Sequence, residues 1–141
     1  RQIAALSGSG TEAGGKVVSH HMQRGADFFR KKDFVSAAAE FLEVLAVRPD
    51  NDKALYNAGL AYFKLGEYEW SAAMLERSAA LKPDNADAFV ALGNAYLKLD
   101  RVEEAYGCYY KALKINPDSK IAKANAEAIT RAMDRKGRLG K

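Results

Sequence analysis

The sequence contains few of the residues that cross-link a fold or hold it in a membrane. It has one cysteine, Cys108, in 141 residues, so a disulfide within the chain and a site with several cysteine ligands are both excluded. Because cysteine-poor chains are typical of reducing compartments, we expect a cytoplasmic protein. No apolar run approaches the ~18 residues that a membrane-spanning helix needs. With 48% apolar residues, a chain of this length can form one packed domain.

An excess of basic charge is also missing from most of the chain, although the formal net charge is +4. Residues 120–141 carry seven basic and two acidic side chains, whereas residues 18–119 carry 13 basic and 15 acidic ones. A basic cluster can attach to nucleic acid or to an acidic membrane. No aromatic residue is interleaved with this one to stack on bases. We therefore expect a solvated helix end and no nucleic-acid partner.

Proline is scarce, and its three copies are evenly spaced. Pro49, Pro83 and Pro117 lie 34 residues apart and divide the chain into units 18–51, 52–85 and 86–119. Such a period indicates an array of structural repeats. Glycine recurs at the eighth position of the units and an aromatic residue at the eleventh. These residues are Gly25, Gly59 and Gly93, and Phe28, Tyr62 and Tyr96.

Apolar spacing inside the second unit predicts a pair of helices. Leu55, Ala58 and Tyr62 recur at intervals of three and four residues, which places them on one helical face. Gly66 is a typical helix stop. A second apolar stripe follows and ends at Pro83, because proline disfavours helical geometry in the residue before it. A helix pair of this kind buries its apolar face by stacking on the next pair.

The unit resembles the tetratricopeptide repeat, and the resemblance covers about 102 of the 141 residues. The third unit carries the family pattern most fully, with Phe89, Leu92, Gly93, Tyr96, Ala105, Tyr109, Ala112 and Pro117. The resemblance implies an all-α solenoid of three helix pairs. We expect the repeat domain to span residues 17–136, with a capping helix at residues 120–136 that includes Ala122, Ala126, Ile129 and Met133 in its apolar stripe. Residues 1–16, rich in serine and glycine, are interpreted as a flexible linker, and residues 137–141 as a basic tail.

Nothing in the sequence indicates catalysis, a metal or a cofactor. His20 and His21 are adjacent, so on a helix they point about 100° apart and cannot share a metal ion. Cys108 lies within a predicted helix beside Tyr109, as an inert core thiol would. A catalytic base needs a third group to orient it in a cleft. We therefore predict no catalytic residue, no metal site and no cofactor.

The resemblance implies that the first helix of each pair lines a concave groove. The side chains expected to bind a partner there are Met22, Phe29, Arg30, Lys53, Tyr56, Asn57, Leu60, Phe63, Lys64, Val90, Asn94 and Lys98. Apolar anchors with polar groups between them are typical of a surface that takes an extended peptide or a helix. The function implied is a non-catalytic protein–protein interaction scaffold. Several of these residues are also common in the generic repeat, where they serve helix formation and solubility. The alternative function is a self-associating or spacer module within a larger multidomain protein.

One class of partner is expected to be absent. Family members that bind the acidic C-termini of heat-shock chaperones use a carboxylate clamp of lysine, asparagine and arginine at five groove positions. Here those positions hold Met22, Ala26, Asn57, Asp87 and Ala91, so only Asn57 matches. The resemblance therefore implies that this chain is not a carboxylate-clamp chaperone binder.

Overall fold

The computed structural model describes residues 2–139, with side chains from residue 13 to residue 137. Seven α-helices follow one another in that part of the chain, and no strand interrupts them. They are α1 (Gln2–Arg30), α2 (Phe34–Val47), α3 (Asp52–Lys64), α4 (Tyr68–Leu81), α5 (Ala86–Lys98), α6 (Val102–Ile115) and α7 (Lys120–Leu139). Each helix packs mainly on the next one along the chain. The prediction of an all-α array of three helix pairs followed by a final helix is confirmed.

The ends of the helices follow from single residues. The helices α2, α4 and α6 each stop two residues before a proline of the 34-residue series. The next helix then begins with a side-chain cap: the Asn51 carboxamide oxygen accepts a hydrogen bond from the amide of Ala54 at 2.9 Å, and that of Asn85 accepts from the amide of Asp87 at 3.1 Å. Such caps satisfy backbone donors that the first helical turn leaves unpaired. The periodic prolines and asparagines therefore set the register of the array.

Glycine at the eighth position brings the two helices of each pair together. A Cβ atom at Gly25 would lie 2.5 Å from the ring of Phe41, and one at Gly93 would lie 2.6 Å from the ring of Tyr109. At Gly59, the corresponding contact is 2.6 Å from Cγ of Leu75. Real Cβ atoms are not found at such distances, so only glycine permits this spacing. The repeated glycine therefore has a packing role in all three units.

The apolar faces form two core clusters. We call the cluster of Ala37, Ala38, Phe41, Leu55, Ala58, Ala61 and Met74 the N-terminal core. We call the cluster of Ala72, Leu75, Ala91, Leu92, Ala95, Tyr96, Ala105, Cys108, Tyr109 and Ile129 the C-terminal core. Unit two also buries two hydroxyls, and each has a backbone acceptor: Ser71 donates to the carbonyl of Gly59 at 2.7 Å, and Ser78 donates to that of Asp52 at 3.1 Å. Their burial is stabilised because both groups are satisfied.

The beginning of the chain differs from the sequence prediction. Residues 2–16 continue α1, where the sequence analysis expects a flexible linker over residues 1–16. Adding turns to an existing helix avoids the cost of nucleation, which lowers the barrier for a glycine-rich segment. Gly14 is buried, and a Cβ there would lie 2.9 Å from the guanidinium of Arg48. The glycine thus lets α1 run past the end of α2, and α1 has 29 residues where α3 has 13.

The final helix departs from the prediction in its length and in its stripe. It continues through Leu139, so Gly137 belongs to the helix, while residues 140 and 141 lie outside the described part. Ala122 and Ile129 are buried, and Ile129 joins the C-terminal core. Met133 is 41% exposed, so the apolar stripe is shorter than predicted. Among residues 2–139, none of the helices combines the length and hydropathy of a membrane span.

Candidate functional site

The first helices α1, α3 and α5 carry all twelve side chains that the sequence predicts for the groove, and we call their exposed surface the first-helix face. Its apolar members are partly buried. Met22 and Phe29 pack against the N-terminal core. Tyr56, Leu60, Phe63 and Val90 pack against the C-terminal core. The basic members Arg30, Lys53, Lys64 and Lys98 are exposed. The face therefore combines an apolar floor with cations that reach solvent, and its role in binding stays a prediction.

A pocket of about 220 Å³ opens on this face between the first two units. Its lining consists of Ala26, Phe29, Arg30, Phe41, Asn57 and Leu60. Four of these are predicted groove residues, and the structure brings them together. The sequence analysis names Ala26 only as a clamp position that lacks the family residue, and it does not assign Phe41 to the site. The signal that could have found the pocket is the ninth position of the units, where unit one has only a methyl group and units two and three have Leu60 and Asn94.

Edge-to-face aromatic pairs border the face where α1 and α3 end. Phe29 and Phe34 have ring centroids 5.1 Å apart, and Phe63 and Tyr68 have theirs 5.2 Å apart. The interplanar angles of 73° and 65° are those that ring quadrupoles favour. Nζ of Lys98 lies 5.9 Å from the centroid of Tyr68, within range of a cation–π interaction. Phe29 and Phe63 of the face thereby pack against the first residue of the following helix.

One of the three cations at the thirteenth position of the units is already paired with a carboxylate. Arg30 forms an ion pair with Asp27 one turn earlier in α1, and both side chains are more than 40% exposed. An exposed pair of this kind contributes little to stability and exchanges readily for another partner. Together with Lys64 and Lys98, Arg30 occupies the thirteenth position in successive units. An acidic ligand that meets Arg30 would replace Asp27 rather than find an unpaired guanidinium.

Tyr56 lies near Asp87 of α5 and is a neutral phenol. Partial burial, and secondarily the Asp87 carboxylate, raise the pKa of Tyr56 above its ordinary value. The hydroxyl therefore stays protonated at neutral pH and can donate a hydrogen bond. Asp87 and Lys53 share the second position of their units, so one acidic and one basic side chain lie near the beginning of α5 and α3, whereas Arg30, Lys64 and Lys98 lie at the ends of the first helices. The face thus carries charge of both signs.

The two asparagines of the face differ in their surroundings. The Asn94 carboxamide oxygen accepts from the hydroxyl of Tyr109 at 2.5 Å and from Nδ2 of Asn125 at 3.4 Å. Burial raises the pKa of Tyr109 to about 12, so its hydroxyl remains a donor. By contrast, the Asn57 carboxamide makes no hydrogen bond to any other residue that the structure describes. Asn94 therefore joins α5 to α6 and α7. Of the two asparagines, Asn57 alone lines the pocket, and its carboxamide has no hydrogen-bond partner among the described residues.

The residues that could be taken for catalytic groups are packed as structural ones. Cys108 is buried, and burial raises the pKa of its thiol to about 11. A protonated thiol is a poor nucleophile. Glu40 bridges Nδ1 of His21 at 2.6 Å and Nε of Arg24 at 2.7 Å, which ties α2 to α1. Within the described residues, no cluster of histidine, cysteine, aspartate or glutamate could hold a metal ion.

Solved structures of repeat domains share this fold. The first repeat domain of Spaghetti (RPAP3), bound to the HSP90 peptide SRMEEVD, aligns with a TM-score of 0.82 at 21% identity, over 84% of this chain and 94% of its own. The second repeat domain of human RPAP3, in complex with the HSP70 peptide SGPTIEEVD, aligns with a TM-score of 0.80 at 22% identity, over 83% and 98%. A repeat domain of yeast Sti1, in a complex with an Hsp70 peptide, aligns with a TM-score of 0.77 at 15% identity, over 83% and 98%.

These structures overturn one expectation about partners. The prediction that the chain stands outside the class of chaperone-tail binders is wrong, because domains solved with HSP90 and HSP70 peptides share its fold over nearly their full length. The physical reason lies in what the five clamp positions control. They are side chains of the first-helix face, whereas the glycine contacts, the prolines and the buried apolar residues set the fold. Differences at four of the five positions therefore leave the fold that this chain shares with those domains unchanged.

Sequence-family comparisons agree with the helix pairs. A search of curated protein sequences gives no match. The model described as "Tetratricopeptide repeat" matches residues 86–119, which is the third unit. The model described as "TPR repeat" matches residues 25–66 and 59–100, a stretch that covers more than half of the chain. The chain belongs to the tetratricopeptide repeat family.

Proposed function

We propose that this chain is a non-catalytic scaffold that binds an extended segment or a helix of a partner protein on its first-helix face. The observation that carries the proposal is the pocket between units one and two, into which an apolar floor and the Asn57 carboxamide converge. Apolar pockets with a few polar groups are where proteins concentrate binding energy. The half-buried Tyr56, Leu60 and Phe63 continue this floor along α3.

The charges of the face support an acidic ligand. Arg30, Lys64 and Lys98 line one edge, and Lys53 adds a further cation to α3. Complementary charge raises the association rate and makes binding sensitive to salt. The peptides bound by the structural neighbours, SRMEEVD and SGPTIEEVD, each end in three acidic residues out of four. We therefore include acidic chaperone tails in the class of ligand that the face is proposed to bind. Their carboxylates would meet this basic edge, because four of the five clamp side chains are replaced.

Calorimetric titration tests the proposal. The ligands are these two peptides and peptides selected from a displayed library of random dodecapeptides. Tyr56→Ala should weaken binding by about 2 kcal/mol, the usual loss for a buried aromatic anchor. Tyr110→Ala is the matched control, because Tyr110 is 51% exposed on α6 and lies off the first-helix face. Equal affinities for the parent and Tyr56→Ala, with a loss in Tyr110→Ala, would place the binding surface elsewhere.

The second candidate function is self-association or a spacer role in a larger protein. Ile121 and Met133 favour it, because they leave 65% and 41% of their surfaces exposed on the last described helix. Repeat arrays need a polar outer face at their ends to stay monomeric. Light scattering over a concentration series separates the two functions. Self-association is supported if the mass of the parent rises with concentration and the mass of Ile121→Lys stays at the monomer value.

A further inference from the structure

The last helix, α7, continues the 34-residue register as the first helix of a fourth unit. The Ser119 hydroxyl accepts a hydrogen bond from the amide of Ala122 at 3.3 Å, at the position where Asn85 caps α5 in unit three. Ala122 and Ile129 are buried, as are the third and tenth residues of units two and three. The helix therefore packs on α6 with the same side that α3 and α5 turn toward the preceding unit.

The described residues supply no second helix to pair with α7. In the three complete units the chain turns back at the fifteenth position, where Lys32, Gly66 and Asp100 have φ of 63°, 79° and 59°. A residue with positive φ cannot continue a right-handed helix. The fifteenth residue after the same count is Asp134, and α7 runs through it to Leu139. Within residues 2–139, α7 is thus a first helix without its partner.

A cavity of about 360 Å³ lies where the missing second helix would pack. We call it the α6–α7 groove, and its lining consists of Tyr106, Leu113, Lys123, Ala126, Glu127, Thr130 and Arg131. In unit two, the second helix covers the eighth and eleventh residues of the first: Leu75 packs beside Gly59, and Trp70 stacks on Tyr62 with ring centroids 6.2 Å apart. In α7 the same positions hold Glu127 and Thr130. The α6–α7 groove therefore has the place and direction of a helix site.

The eighth position determines how closely a helix can approach α7. Glycine holds it in the three complete units, and a Cβ at Gly59 would lie 2.6 Å from Cγ of Leu75. Glu127 carries a whole side chain there, so a helix in the groove must lie farther from α7 than α4 lies from α3. It would contact side chains that reach outward, and these determine its chemistry.

Those outward side chains are mostly cationic. Lys123, Glu127 and Arg131 follow one another at intervals of four residues, which places them along one side of α7. All three are exposed, and none forms an ion pair with another residue that the structure describes. Tyr106 and Leu113 of α6 give the groove its apolar part. An occupant therefore needs apolar residues on one face and acidic residues beside them.

The charge of α7 also distinguishes between possible occupants. Residues 120–137 carry five basic and two acidic side chains. The α7 helix of a second copy would bring the same positive charge, and like charges brought together oppose association. An acidic helix meets complementary charge instead, which favours its association and makes the complex sensitive to salt.

We propose that the α6–α7 groove binds an acidic amphipathic helix of a partner protein, which occupies the place of the missing second helix. Lys123 and Arg131 are eight residues apart, about 12 Å along the helix axis. The bound helix therefore carries acidic residues about two turns apart and, between them, apolar residues that contact Tyr106 and Leu113. This site is separate from the first-helix face, so the two proposals can fail independently.

The test uses the full chain and a designed helical peptide as a fluorescent probe, with apolar residues at intervals of three and four and glutamate on both flanks. Its anisotropy should rise on binding to the parent, and a probe with lysine for each glutamate should not bind. Lys123→Glu/Arg131→Glu should weaken binding about tenfold, because each reversal replaces an attraction with a repulsion. Lys120→Glu/Lys136→Glu makes the same change in net charge at exposed positions outside the groove and should weaken binding much less.

A second pair of variants tests the apolar part of the groove. Thr130→Trp fills the cavity from an exposed position and should also weaken binding. Ala128→Trp is its control, because Ala128 is exposed on the same helix and does not line the groove. Thermal melting of every variant verifies that lost affinity does not reflect unfolding.

Four outcomes overturn the inference. Equal losses in the two charge-reversal variants would show that the probe responds to net charge and not to the groove. A loss in Tyr56→Ala without one in Thr130→Trp would place the probe on the first-helix face, which keeps the proposed function. No binding of the acidic probe refutes the groove, while titration with SRMEEVD still tests the proposed function. A parent whose mass rises with concentration, and stays at the monomer value in Thr130→Trp, would show that a second copy occupies the groove.

Discussion

Alanine in place of Gly59 is expected to destabilise the domain, although alanine is the better helix former. The added Cβ would lie 2.6 Å from Cγ of Leu75 and 2.9 Å from its Cδ2. Leu75 has no exposed surface, so its branch atom has no empty space to move into. The clash can therefore be relieved only by shifting α3 away from α4.

The magnitude follows from two opposing terms. A glycine-to-alanine change inside a helix gains about 1 kcal/mol of helix propensity. Overpacking of a filled core costs about 1–3 kcal/mol. Because the contact involves a branch atom close to the backbone, we expect the upper half of that range and a net loss of about 1–2 kcal/mol. Gly107 provides the control: a Cβ there meets nothing within 4 Å, so Gly107→Ala in α6 should stabilise by up to about 1 kcal/mol.

Urea denaturation followed by circular dichroism measures both variants against the parent. The same substitution is then made in a Leu75→Ala background, where the clash is removed. There, Gly59→Ala should be neutral or stabilising, which would attribute its cost to the contact with Leu75 and not to the backbone. A Gly59→Ala variant as stable as Gly107→Ala would refute the close-approach argument.

Three further perturbations follow from the structure. Lys32 and Asp100 adopt left-handed backbone conformations, with φ of 63° and 59°. Because glycine adopts this region without strain, Lys32→Gly should raise stability by up to about 1 kcal/mol in thermal melts. Asp100→Gly should raise it by less, because aspartate tolerates this region better than lysine does. Side-chain hydrogen bonds from Arg24 and, secondarily, from His21 hold the pKa of Glu40 below its usual 4.5. The stabilising contribution of Glu40 is therefore present above that pH and is lost as the pH falls through the lowered pKa. Glu40→Gln should therefore be less stable than the parent at pH 7, and the difference should vanish in acid denaturation series. Deleting residues 120–141 uncovers the C-terminal core that Ile129 contacts. The melting temperature should therefore fall, or light scattering should reveal association. A truncated chain that stays monomeric with the same melting temperature would contradict the capping role.

The features that were predictable from the sequence are those set by local, repeated patterns. The prolines, the glycines and the apolar spacing each recur every 34 residues, so they indicate helix ends and close contacts without knowledge of the tertiary structure. The extension of α1 was not predictable in this way. Its serine- and glycine-rich composition opposes helix formation, and the burial of Gly14 beside Arg48 depends on a contact between residues far apart in sequence.

The candidate site was predictable by position but not by environment. Family spacing placed twelve side chains on the first helices, and the structure has them there. The pocket, however, is made by Ala26, a residue that attracts attention only because its methyl group leaves space over Phe41. The error about chaperone-tail binders has a related cause, since the groove side chains vary while the backbone that carries them is retained at 15–22% identity.

Asn57 and Asn94 show why residue type alone did not assign roles within the face. Both are asparagines on first helices, and the sequence analysis assigns both to the groove that is expected to bind a partner. Asn94 is held by the hydroxyl of Tyr109 and by Asn125, so changing it would disturb the packing of α7 on α5 and α6. Asn57 has no such bonds within the described chain, so its carboxamide is available for a ligand. Polar recognition should therefore concentrate at the junction of units one and two, and a loss of binding on mutation of Asn94 would report on the fold as much as on the site.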